Sequence, residues 1–346
     1  MRLSIFFFLI ALLLSCSSSP LKYDKSEQLL KNDEFEKAVK IEKPADSDAS
    51  VGPQILPPAG TPSVKIEEKK KEKKVLKLLK KSKVALKSEP AVPLRRQPDL
   101  EDDVGFQGRR PLVDPFGIGE ELTYDVHFFK VSAGEMKMRV GPMAVVNGRK
   151  AYNFSISLQT NSVFSSFYSV DDKVEIFVDY ENLVPRVFQL HVKETSQLRE
   201  ARMLFDEATN RATFWEKKVS NDKGEEEKKQ AWDILPYSQN VYSAVFYLRN
   251  FKWEVGKEYA YRVADDEQNM IFKAKALRKE KLSTELGEMD SIVIKPEVML
   301  KGVFKPVGDI YIWLSDDPKH YILRIESKIK IGTVISEIIS IKPGHN

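Results

Sequence analysis

Two pairs of adjacent acids, Asp171-Asp172 and Asp316-Asp317, are the residues from which this chain could draw a proton donor and a base. Glycoside hydrolysis needs two carboxyls about 5 to 10 Å apart. Neighbours on a strand point to opposite faces, however, and acids in a turn usually accept hydrogen bonds from backbone amides. Asp316-Asp317-Pro318-Lys319 reads as such a turn, so both pairs are expected to be structural. The histidines, His127, His191, His320 and His345, are far apart and show no metal-ligand spacing. Isolated strand histidines are more often surface or rim residues. The sequence has no G-x-S-x-G elbow, no G-x-G-x-x-G and no G-x-x-x-x-G-K-[ST] cradle. No catalytic residue, metal or cofactor is therefore expected, and the chain reads as a binding protein rather than an enzyme.

A different chemistry belongs to Cys16, the single cysteine. It follows Arg2, an apolar run from Leu3 to Leu14, and Ser15. A basic residue, a short apolar core and a small residue make a secretory signal peptide over residues 1–15, too short to span a membrane. Leu13-Leu14-Ser15-Cys16 resembles a bacterial lipobox, whose thiol takes a diacylglycerol before the leader is removed and the amine is acylated. Two or three acyl chains anchor firmly where one binds only marginally. An ordinary signal peptide with an incidental cysteine is the alternative. Ser17 and Ser18 supply no aspartate for inner-membrane retention, which favours a bacterial envelope protein on the outer membrane, facing the periplasm. One cysteine also means no internal disulfide, so the fold must rest on burial.

The remaining chemistry is aromatic. Ser162 to Val170 crowds Phe164, Phe167 and Tyr168 into a segment expected to be a strand edge or loop. Trp232, Tyr242 and Phe246 recur near the one helical stretch. Lining a concave sheet, these six would form the mouth and wall of a site for a lipid or glycolipid. Filling an ordinary core, they would do none of this.

Composition sets the frame around these residues. Residues 16–64 are polar and proline-punctuated, with one weak helical stretch at Ser26 to Lys43, and read as a disordered tether. Residues 65–87 form a lysine-rich amphipathic segment. Its run from Lys69 to Lys87 either contacts anionic lipid or a cell-wall polymer, or is a solvated spacer. Residues 88–116 are a proline-rich linker. The tether's roughly 100 residues would extend to roughly 300 Å. Over the whole chain the formal net charge is +4, with 42% hydrophobic and 31% charged residues. That balance, with export, argues against a nucleic-acid partner.

Residues 117–346 alternate apolar and polar in short runs, beginning with Leu122 to Phe128, Gly134 to Val140 and Ala151 to Leu158. Further runs follow at Val174 to Val178, Val187 to Val192 and Ala212 to Trp215, and a second series extends from Tyr259 to Ile341. This is the pattern of an antiparallel open barrel or curved sheet. One segment, about 238–250, has helical spacing at Val241, Val245 and Leu248, with Ser238 as expected N-cap. The expected class is mostly all-β with one intervening helix against the concave side or an open end.

Gly119-Glu120, Ala133-Gly134, Val170-Asp171-Asp172, Tyr247-Leu248-Arg249 and Ile312 to Asp317 resemble the bacterial domain-of-unknown-function family 3108, as do Leu323-Arg324-Ile325 and Gly332-Thr333-Val334. The resemblance covers Gly117 to Ile341 and none of the tether. It implies an exported β-rich domain, often membrane-tethered, with no catalytic residues to carry over. Three roles remain: a binder of an acyl chain or glycolipid, a structural or assembly lipoprotein acting through its basic tether, or a cell-wall hydrolase. The first predicts a continuous apolar pocket, the second a filled core, the third a polar cleft with converging carboxylates.

Overall fold

The computed structural model describes residues 21, 29–44, 111–300, 303–306, 309–329 and 332–345. Cys16, the signal peptide, the lysine-rich segment and most of the proline-rich linker lie outside them.

Alternation in the sequence becomes strand after strand. In chain order they are β1 (Ile41–Glu42), β2 (Glu121–Phe128), β3 (Val131–Val146), β4 (Arg149–Thr160), β5 (Val170–Asp179), β6 (Pro185–Glu194), β7 (Gln197–Asp206), β8 (Arg211–Ser220) and β9 (Gly224–Asp233). After a helical break come β10 (Glu258–Asp265), β11 (Gln268–Thr284), β12 (Gly287–Leu300), β13 (Val303–Pro306), β14 (Asp309–Ser315), β15 (Ile322–Ile329) and β16 (Gly332–Lys342). They form one antiparallel sheet in the order β10-β11-β12-β14-β15-β16-β2-β3-β4-β5-β6-β7-β8-β9. The chain's closing strand β16 pairs with its opening strand β2, Val334 opposite Phe128 and Lys342 opposite Glu121.

The sheet curls without closing its ladder. Its edges, β9 and the β10–β11 hairpin, meet through side chains: Lys228 pairs with Asp266 at 3.1 Å, and Gln230 with Glu267. Asn269 donates to the Asp233 carbonyl and accepts from the Leu235 amide. β9 reads Gly-Glu-Glu-Glu-Lys-Lys-Gln-Ala-Trp-Asp, and such charge on an edge discourages pairing with another chain.

The concave side is filled by a short α-helix, Val241–Tyr247, continued by a 3₁₀ turn, Leu248–Asn250. Its N-cap is Asn240 rather than Ser238: Asn240 and Ser243 form a reciprocal capping box, while the Ser238 hydroxyl donates to Leu235 in the preceding turn. Phe246 stacks on Phe154 of β4 at 4.3 Å, Tyr242 on Phe188 of β6 at 5.3 Å, and the Tyr261 hydroxyl of β10 donates to the Ala244 carbonyl at 3.0 Å. One helix is thereby fastened to strands far apart in the sheet.

The convex side holds part of segment 16–64, which was expected to be a disordered tether with one weak helical stretch at Ser26 to Lys43. A helix, Asp33–Ala38, and β1 lie on it, with Ile41 opposite Val146 of β3. Phe35 meets Trp215 edge-on at 5.9 Å, and the Trp215 indole donates to Glu34 at 2.8 Å. Asn147 accepts from the Lys40 amide and donates to the Ala38 carbonyl. Phe35, Val39 and Ile41 cover an outward apolar patch of Val146, Phe177, Val187 and Trp215. Three apolar residues suffice because the sheet already presents the other half of this small core. Further back, the Leu21 amide donates to the Thr195 carbonyl at 2.9 Å.

Candidate ligand cavity

Between helix and sheet the packing is incomplete. A cavity of about 230 Å³ is walled by Met136 and Met138 of β3, Ile156 of β4, Val174 of β5, Val241, Tyr242 and Val245 of the helix, Met270 of β11 and Ile325 of β15. A second, of about 320 Å³, lies toward the rim beneath Phe164, Phe167 and Tyr168, walled by Val126, Phe128, Ala133 and Val170. Leu158 and Val334 line both, so the two adjoin. Volumes near 300 Å³ stand at the low end of small-molecule sites, and three methionines let such a wall adapt to its contents.

Asp172 is the acid in the wall of the inner cavity. It is buried, and its Oδ1 accepts from the Lys193 amide at 3.0 Å, while Oδ2 has no hydrogen-bond partner among the described residues. Burial, with the neighbouring Glu194 carboxylate, pushes its pKa up to about 8. Glu194 is itself engaged, its Oε2 accepting from the Tyr168 hydroxyl at 2.7 Å and from Gln197 at 2.6 Å. Burial also raises the Tyr168 pKa, keeping its hydroxyl a donor. Asp171 points the other way, exposed and bonded to Gln159, as strand geometry requires.

The second acid pair is a turn device. Asp317 accepts from the Lys319 and His320 amides, and Asp316 pairs with Lys279. Beneath that turn the motif residues scattered along the sequence converge. Arg249, fully buried at the end of the helix, makes a two-pronged bond to Glu120 at 2.5 and 3.1 Å. It also donates to the Lys319 and Pro115 carbonyls and lies over the Phe116 and Tyr321 rings. His320 bonds the Arg249 carbonyl, and burial lowers its pKa. Every strong contact of this cluster is internal, which makes it a rivet between helix, entry strand and closing loop.

The structure divides the six expected ligand residues. Phe164, Phe167 and Tyr168 line the outer cavity, Phe164 on a four-residue helix, Ser162–Ser165, capped by Asn161, and the other two in the turn that follows it, where a strand edge or loop was expected. Tyr242 lines the inner one. Phe246 and Trp232 line neither, a correction: Phe246 is consumed by its stack on Phe154, and Trp232 packs half-buried near the seam. The methionines and Asp172 were not foreseen as lining. Spacing placed them on strands but could not say which inward positions lack a partner across the core. Among the described residues no group of three His, Cys, Asp or Glu side chains could hold a metal ion, and no helix is long and apolar enough to cross a membrane.

Three solved structures are similar over 66% of this chain. A β-barrel-like protein of the domain of unknown function DUF1849 from Brucella abortus is 9% identical, with 98% of its chain covered and a TM-score of 0.41. A protein from Bacteroides fragilis described as exported, with a YmcC-like fold, is 10% identical, 97% covered, TM-score 0.29. A protein from Parabacteroides distasonis described as a lipoprotein is 10% identical, 98% covered, TM-score 0.28. No curated protein matches the sequence. Residues 123–339, more than half of the chain, match the family described as protein of unknown function DUF3108, and the chain belongs to that family.

Proposed function

We propose that this is a lipid-anchored protein of the bacterial envelope whose β-rich domain binds a hydrophobic ligand, the acyl part of a lipid or glycolipid, in the adjoining cavities. The observation that carries the reading is the unfilled apolar space around the helix, walled by flexible methionines in a fold otherwise packed with stacked aromatics. Asp172, protonated at neutral pH, would offer a polar head group a hydrogen bond in that wall. Asp172 and its buried neighbour Glu194 are held by backbone, tyrosine and glutamine donors, which supports binding over hydrolysis. Cys16 is the anchor, and Ser17-Ser18 direct it to the outer membrane on the periplasmic side. The lysines from 69 to 87 would add contact with anionic lipid or a cell-wall polymer.

Native mass spectrometry of the whole protein, purified from its host envelope without detergent and paired with lipid extraction, tests the reading. One bound lipid or glycolipid per chain is the expected result. A clean apo mass would remove the ligand and leave a structural or assembly lipoprotein acting through its basic segment.

A further inference from the structure

The rim over the outer cavity leaves apolar side chains in water. Phe129 and Val131, at the β2–β3 turn, are 63% and 54% exposed, and Val163 and Phe167, around the short helix after β4, are 64% and 83% exposed. These two loops form one surface: the Asn161 side chain donates to the Ser132 carbonyl at 2.7 Å and its backbone amide to the Ala133 carbonyl at 3.0 Å. Phe129 and Lys130 occupy both central positions of a two-residue turn, with φ of 48° and 64°. Asparagine and glycine are favoured there, because a side chain is crowded in the left-handed region. The Phe129 ring leans on Phe128 at 4.4 Å, yet most of it faces solvent. The ring also closes over Gly332 of β16, and a turn built against local preference that still leaves this phenylalanine mostly in water beside a lysine points to a receiving surface outside the fold.

The path of the amino-terminal segment says what that is. The Leu21 amide is bonded to the Thr195 carbonyl, and Thr195 exchanges two hydrogen bonds with Ser169, two residues beyond Phe167. Cys16 precedes Leu21 by five residues, a span of at most roughly 18 Å. An acyl chain on Cys16 would therefore enter its bilayer beside this rim.

We infer that the rim made by Phe129, Lys130, Val131, Val163 and Phe167 docks on a lipid surface. The apolar side chains enter the interfacial layer and Lys130 meets anionic head groups. The inference rests on acylation of Cys16, and it fixes an orientation that the anchor alone would leave free. Docked in this way, the outer cavity opens against the bilayer, and an acyl chain passes between lipid and protein without crossing water.

The test uses the full lipoprotein in vesicles of phosphatidylethanolamine and phosphatidylglycerol. Cys16 is the only cysteine and is capped by lipid, so Phe167→Cys or Val131→Cys supplies a single thiol for a nitroxide label. Leu286→Cys, in the β11–β12 turn at the opposite end of the strands, is the control. At 167 and 131 the label should be several-fold less accessible to an aqueous nickel complex, and more accessible to oxygen, than at 286. Equal nickel accessibility at all three sites in protein whose amino-terminal peptide carries its acyl mass would overturn the docking and leave the anchor standing. An amino-terminal peptide without acyl mass would overturn the anchor, and the docking with it. Val163→Asp combined with Phe167→Asp should raise nickel accessibility at 131, and no change there would also overturn the docking.

Discussion

At the scale of single residues, buried Asp172 and buried Arg249 behave differently and can be told apart by experiment. Asp172 binds a proton in the folded protein up to about pH 8, whereas in the unfolded chain it releases it near pH 4. Between those limits the native state holds the extra proton, so stability falls as pH rises, by up to about 1.4 kcal/mol per pH unit from this one group. Below pH 4 its contribution is complete, and above pH 8 it is gone. Asp172→Asn keeps an acceptor for the Lys193 amide and has no proton to lose. Urea unfolding at pH 5, 6 and 7 should therefore show a flatter pH slope in the variant, and equal slopes would show that the buried carboxyl is ionised. Arg249 is the opposite case, a charge whose three guanidinium nitrogens all donate hydrogen bonds. Arg249→Met strands Glu120, and losing one partner of a buried pair costs about 3–5 kcal/mol. Adding Glu120→Gln should recover more than about 1 kcal/mol of that loss in the same urea titrations. Strand geometry alone separates Asp171 from Asp172 in the sequence. What the sequence hides is that Asp172 faces a gap, because that depends on which residues stand across the core from it.

At the scale of elements, alternation reveals a strand when one face is wet and conceals its function when both are dry. Ile176-Phe177-Val178 breaks alternation because Ile176 and Val178 face the helix while Phe177 lies under the amino-terminal segment, beneath Lys43. That doublet of faces was the available sign that something covers the convex side. The weak helical stretch before Pro44 is what covers it. β9 escaped the alternation reading for the reverse reason, since this edge strand, exposed along most of its length, carries five charged residues in a row, Glu225 to Lys229. If Phe35 is the residue that seats the segment, Phe35→Ala should release it locally. The Val39 and Asn147 amides, bonded to Phe35 and Lys40 across this contact, should then exchange with solvent deuterium at least about tenfold faster. Amides of the β4–β5 ladder facing the inner core should keep their wild-type protection. Unchanged exchange at Val39 and Asn147 would mean that β1 pairing alone holds the segment.

At the scale of the whole molecule, the same segment changes what the long lysine-rich stretch can be. Residues 29–44 and residues from 111 onward belong to one folded unit, so the stretch between them has both of its ends on that unit. A stretch with both ends on the domain does not set how far the domain stands from an anchor at Cys16. For an acylated Cys16 that distance would be set by the residues before Leu21, a matter of at most roughly 18 Å rather than roughly 300 Å. Replacing residues 46–109 with a 20-residue Gly/Ser linker should therefore leave the domain folded and its height above a supported bilayer unchanged in neutron reflectometry. The same replacement should abolish any salt-sensitive attachment to anionic lipid or cell-wall polymer, because it removes the lysines from 69 to 87. A domain that drops toward the membrane when the stretch is cut would show instead that the amino-terminal segment comes off the sheet in the anchored protein, and that the stretch is a spacer after all.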